Sequence, residues 1–163
     1  MSTDFLDLSG VHSLGKQLLD ARFPVLEGLS PIALKILNAA TSELLVARGV
    51  DILRIGDTPS GLYFVDAGEV EIFRLVGGRL EKVDTLRAGD VFGEFGVLRG
   101  FARTALVRTA SPCRLLRVEA EAVHQVLEGN AEFRARLESL MHSRMRQNFF
   151  AMHPVFAAAN ARL

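Results

Sequence analysis

Two side chains of opposite charge, Glu94 and Arg103, stand nine positions apart in the stretch VFGEFGVLRGFARTALV, residues 91–107. A guanidinium presents a planar fork of donors that fits phosphate oxygens. An ionised carboxylate only accepts, so it suits hydroxyls such as a ribose 2′-OH. Thr104 adds a hydroxyl beside the arginine, and Gly89 and Gly93 lead into the glutamate. Gly93 lets the main chain approach a ligand closely. Residues 95–98 read as a short apolar turn of helix, whose opening N–H groups face an anion. The stretch therefore has the makings of an anion cradle with a sugar-binding carboxylate beside it. The plainer reading is an ion pair from Glu94 to Arg103 that ties a helical turn to a strand.

The elements that must position these groups are mostly short strands. Residues 1–12 read as an arm with Phe5, Leu6 and Leu8 as docking points, and 14–23 as a helix ended by Phe23-Pro24. Ser30 is a good N-cap and Pro31 suits the first helical position. Ile32, Ala33, Ile36, Leu37 and Ala40 then give a helical apolar face over 30–40. From Thr41 the period shortens. Leu44 and Val46, then Val50, Ile52 and Leu53, are β-type runs broken at Arg48-Gly49. Residues 55–61 are turn chemistry, 62–65 a strand, and 69–76 a strand in which Val70, Ile72 and Arg74 alternate with Glu71, Phe73 and Leu75. Gly77-Gly78 marks a hairpin into 79–86. Residues 104–109 and 114–118 are the last strands, separated by Ser111-Pro112. Strands of this length with turns every 8–12 residues predict an antiparallel sandwich or barrel. Two helices follow. One covers 119–127 with Gly129 as a stop, and the other covers 130–149, capped by Asn130. Phe133, Leu137, Leu140, Met141, Met145 and Phe149 form one stripe on it; Arg134, Arg136, Arg144 and Arg146 are placed on its polar side.

Phe92-Gly93-Glu94, Leu98 and Arg103-Thr104-Ala105 resemble the phosphate-binding cassette of the cyclic nucleotide-binding domain family. The Glu94-to-Arg103 spacing is that of the protein-kinase regulatory subunits, one residue shorter than in the bacterial catabolite activator. Gly56-Asp57, Leu62-Tyr63-Phe64-Val65 and Gly68-Glu69-Val70 match a second family pattern, so the resemblance spans about residues 29–127. It departs at Ala102, where the family has proline, and at Gly96, where alanine is common. The resemblance implies a mainly β fold: a jelly-roll-like antiparallel β-roll with an N-terminal helix and two C-terminal helices. It divides the chain into an arm and helix (1–29), the β-roll with flanking helices (30–128) and a long helix with a tail (129–163). The ligand-binding residues it implies are Gly93, Glu94, Phe95, Gly96, Arg103, Thr104 and Ala105.

Composition narrows the function classes. Lys+Arg and Asp+Glu both number 19, so formal charge is zero and no broad nucleic-acid-binding surface is indicated. No apolar run reaches the ~18 residues of a membrane span. The acidic start MSTDFLDLSG does not read as a signal peptide. One cysteine, Cys113, excludes an intrachain disulfide and argues against a structural zinc site. It reads as a buried, inert thiol. The four histidines lack metal-ligand spacing, and no nucleophile stands with a base, so no enzyme is expected. The expected setting is a reducing compartment, the cytoplasm.

The resemblance implies a cyclic-mononucleotide receptor, with cAMP ahead of cGMP as ligand and no other cofactor. Arg103, Thr104 and the 93–96 amides would hold the phosphate and Glu94 the ribose. Thr104 is compatible with either base. Binding would move the last helices about a hinge at Gly129. The 130–149 helix has three open roles: covering the sandwich edge, forming half of a homodimer seam, or closing over the base with Arg144 and Met145 as caps. About 14 residues follow Phe149, too few for the catabolite activator's helix-turn-helix, so DNA binding by this chain is not expected; an unidentified protein effector is. Two alternatives stand. One is a nucleotide-free interaction or dimerisation module of the same fold. The other is a sensor of another phosphate ligand such as a cyclic dinucleotide, which needs a second arginine at the mouth, Arg99 or Arg108.

Overall fold

The computed structural model describes residues 5–7 and 18–152, with side chains described over 18–147. Among these residues nine strands form two antiparallel sheets. The five-stranded sheet runs in the order β1 (Phe5–Asp7), β2 (Thr41–Val46), β9 (Cys113–Glu119), β4 (Gly61–Ala67), β7 (Val91–Phe92). The four-stranded sheet is β3 (Asp51–Leu53), β8 (Leu106–Thr109), β5 (Val70–Val76), β6 (Arg79–Leu86). Helices α1 (Pro31–Ala39), α2 (Glu94–Arg99), α3 (Ala120–Gly129) and α4 (Ala131–Met152) flank them. The expected β-roll with flanking helices is what the chain forms.

Strand β4 explains how two cores fit one sheet. Its alternating side chains leave by opposite faces. Tyr63 and Val65 enter the core between the sheets, with Val70, Ile72, Phe92, Val107 and Leu115. Leu62 and Phe64 enter a second core against the helices, with Phe23, Leu37, Val123, Phe133 and Leu137. Phe23 meets Phe64 edge-on, ring centroids 5.0 Å apart. An unbroken apolar run is what burial on both faces demands. Helix α1 begins as expected: Ser30 Oγ accepts from the Ala33 N–H at 3.1 Å, and Pro31 is the first helical residue.

Three expectations change, and one strand is added. Residues 18–23 of the expected 14–23 helix are not helical; 14–17 lie outside the described residues. The side chain of Asn38 takes both the N–H and the C=O of Leu19, at 2.8 and 3.1 Å, and the Phe23 N–H closes a turn onto the Asp20 carbonyl at 3.2 Å. Those main-chain groups are therefore not free for a helical ladder. Of the expected arm, residues 5–7 pair with β2, Phe5 opposite Val46. Gly129 is the last residue of α3 rather than its stop, and Asn130 donates its side-chain N–H to the Val126 carbonyl at 2.8 Å. Val91-Phe92 forms the edge strand β7, pairing with Phe64 and Tyr63.

Candidate functional site

Arg103 precedes β8 in irregular chain, and its main chain is held on both sides. The Gly56 N–H donates to the Arg103 carbonyl, and the Arg103 N–H donates to the Asp57 carbonyl, both at 2.8 Å. The Asp57 carboxylate stiffens that turn by accepting the Arg54 N–H at 3.0 Å. The Gly56-Asp57 pair thus aims the arginine. Its guanidinium donates from Nη1 to the Gly93 carbonyl at 2.9 Å and from Nη2 to the Gly61 carbonyl at 2.8 Å. Nε is buried without a partner. Arg103 is 6% exposed. Burial holds its pKa below the ordinary arginine value, against the opposing pull of Tyr63, Glu94 and Asp57.

Glu94 opens α2 behind Gly93, which has φ 91°, a left-handed conformation that glycine takes without strain. Glu94 is 2% exposed. Its Oε2 accepts from Arg144 Nη1 at 2.7 Å, and Arg144 Nη2 donates to the Val91 carbonyl at 2.6 Å. The ion pair of Glu94 is therefore with α4, not with Arg103. This corrects two readings. Arg144 lies on the buried side of α4, one turn beyond Met141, and not on its polar side. Met145, expected on the apolar stripe, is 50% exposed. Phe149 lies where side chains are not described.

Gly93, Glu94, Phe95, Gly96, Arg103, Thr104 and Ala105 all line one cavity, joined by Ala102 and Arg144. Met145 does not line it. Sequence reasoning missed Arg74 and Asp84, which do. The parity of Arg74 with Val70 and Ile72 on β5 was the available signal. Arg99 pairs with Glu138 and Arg108 with Asp51, so neither reaches this cavity. Gly96 is a local requirement. A Cβ there would stand 2.5 Å from Pro59 Cβ and 2.7 Å from Arg103 Nη1. The room inside it is about 50 Å³, enough for a water or two. Among the described residues no cluster of His, Cys, Asp or Glu is arranged to hold a metal, and no helix is long and apolar enough to cross a membrane.

The sequence model of the cyclic nucleotide-binding domain matches residues 43–130, more than half of the chain, and the chain belongs to that family. Relatives that match include a potassium channel from Oryza sativa as well as bacterial proteins. An uncharacterized protein from Mycobacterium tuberculosis is 34% identical over 92 residues, which are 56% of this chain and 18% of the relative. A CRP-like cAMP-activated global transcriptional regulator from the same organism is 23% identical over 128 residues, 78% of this chain and 57% of the regulator. The chain thus spans only part of these relatives. A cyclic nucleotide-binding domain from Methylobacillus flagellatus superposes with a TM-score of 0.72 at 21% identity, over 93% of this chain and 89% of that one, which establishes the shared fold.

Proposed function

We propose that this domain is a receptor for a 3′,5′-cyclic mononucleotide, cAMP ahead of cGMP, and that it passes binding on through its C-terminal helices. The observation that carries the reading is Arg103, a buried guanidinium with an unpartnered Nε, in one cavity with Glu94 and Thr104. A cyclic phosphate carries one charge, which one buried arginine and the opening amides of residues 93–96 balance. Glu94 accepts the ribose 2′-OH on the oxygen that Arg144 leaves free. The cAMP preference leans on the cAMP-activated relative.

Signal transfer follows from the contacts of α4. Arg144 ties it to Glu94, and His124 Nε2 on α3 lies 2.6 Å from the Val97 carbonyl on α2. A ligand that shifts α2 shifts both helices. The outer face of α4, exposed at Arg134, His142 and Met145, is where a second copy or a protein effector would sense the change. The test is calorimetric titration of refolded, nucleotide-free protein with cAMP and cGMP, beside Arg103→Ala. The wild type binds at micromolar concentration or tighter, and the variant loses about 2–5 kcal/mol. Equal affinity in the two proteins removes the site assignment. The narrow cavity and the occupied Glu94 favour a second reading, a nucleotide-free interaction module; absence of binding by the wild type would select it.

A further inference from the structure

Arg74 is a charged residue in an apolar series. Val70, Ile72 and Arg74 leave β5 by its inner face, and the first two are buried in the core between the sheets. Arg74 Nη1 donates to Thr104 Oγ1 at 3.2 Å, and its guanidinium lies 5.7 Å from the centre of the Phe95 ring. Its Nε is buried and unpartnered. No carboxylate among the described residues forms an ion pair with it. Burial lowers its pKa, with the field of Glu94 acting against that and Arg144 adding to it. Arg74 is half-buried, and a buried Nε–H without an acceptor costs free energy. What faces it in the fold is the neutral Thr104 hydroxyl and the Phe95 ring, with no paired carboxylate among the described residues.

The cavity wall carries three guanidiniums, Arg74, Arg103 and Arg144, against two carboxylates, Glu94 and Asp84, a balance of 3 − 2 = +1. Glu94 is already taken by Arg144. Two buried Nε donors, on Arg74 and Arg103, are left without a partner. We propose that Arg74 is a second anion-clamping residue, which with Arg103 holds the two exocyclic oxygens of a single phosphate. Thr104 completes the clamp. Its oxygen accepts from Arg74, which turns its own O–H away from that donor and toward the anion. This deepens the cyclic-nucleotide reading and rests on it for the identity of the ligand. It also sets the charge class: a monoanionic phosphate balances the wall.

The test compares cAMP affinity in the wild type, Arg74→Met, Arg74→Lys and Arg103→Ala, with the thermal midpoint of each ligand-free protein. Methionine keeps the length and suits the apolar series, so Arg74→Met folds with an unchanged or higher midpoint. Its affinity falls on the order of 10- to 100-fold, the scale of a lost charge-assisted hydrogen bond. Arg74→Lys, which keeps the charge, recovers part of the loss. A lowered midpoint with unchanged affinity makes Arg74 structural and overturns the proposal, while loss of binding in Arg103→Ala in the same series leaves the receptor reading standing. If the wild type binds neither cAMP nor cGMP, the receptor reading falls and inorganic phosphate becomes the probe. Saturable phosphate binding that Arg74→Met abolishes supports the clamp. No saturable phosphate binding overturns it.

Discussion

Arg144→Met isolates the connection between α4 and the cavity. Arg144 and Glu94 have side-chain exposures of 10% and 2% and meet at 2.7 Å. Removing one partner of a buried pair leaves the other's charge in a low-dielectric site, at a cost of about 3–5 kcal/mol. The Val91 carbonyl loses its donor as well. For a domain of this size each kcal/mol lowers the midpoint by about 2–4 °C, so a fall of roughly 6–20 °C is expected. Removing both charges is a different perturbation. Glu94→Gln combined with Arg144→Met leaves two groups without net charge, and its stability returns to within about 2 kcal/mol of the wild type. The assay is urea unfolding of nucleotide-free protein for the wild type, both single variants and the double variant. A loss under about 1 kcal/mol in Arg144→Met, or single effects that simply add in the double variant, would refute the reasoning.

Two further outcomes follow from close packing and burial. Gly96→Ala forces a methyl against Pro59 Cβ and the Arg103 guanidinium, and unfolding shows a loss of about 1–3 kcal/mol. The Cys113 thiol is 5% exposed, and burial pushes its pKa above the ordinary value, so thiolate is scarce at pH 8. A disulfide reagent therefore reacts with the folded protein at least about tenfold more slowly than with the urea-unfolded chain.

Most of the β-roll was legible because strand periodicity and turn chemistry agree there. The run 62–65, the Gly77-Gly78 hairpin and the Gly56-Asp57 turn all stand where the spacing put them. The failures have local causes. A helix over 18–23 competes with the distant Asn38 side chain, 19 residues away from Leu19, which no windowed pattern sees. Strand β7 is two residues long, too short to show a period. That residues 93–96 and 103–105 share one cavity was legible from residue types at fixed spacing; Arg144 was named beside them only as a base cap, not as the partner of Glu94. Arg144 reads as polar surface by hydropathy, yet the helical face that buries Phe133, Leu137 and Met141 continues through it. Only the unmet charge of Glu94 called for a cation there. Arg74 was hidden the same way, as a polar residue on an apolar parity.

β4 is shared by both cores and pairs with β9 from Gly61 to Ala67, so it behaves as a stiff panel whose displacement would disturb two hydrophobic layers at once. The chain from Val91 to Arg99 joins that panel through two paired residues, with Tyr63 and Phe92 stacked across the seam at 5.0 Å, and Val65 extends the seam to Gly89 and Asp90. Compliance concentrates where the stitching is shortest. Mechanical work done on residues 91–99 is consequently not absorbed by the panel. It passes along α2 to the groups that hold that short lever: Arg144 at Glu94, His124 at the Val97 carbonyl and Glu138 at Arg99.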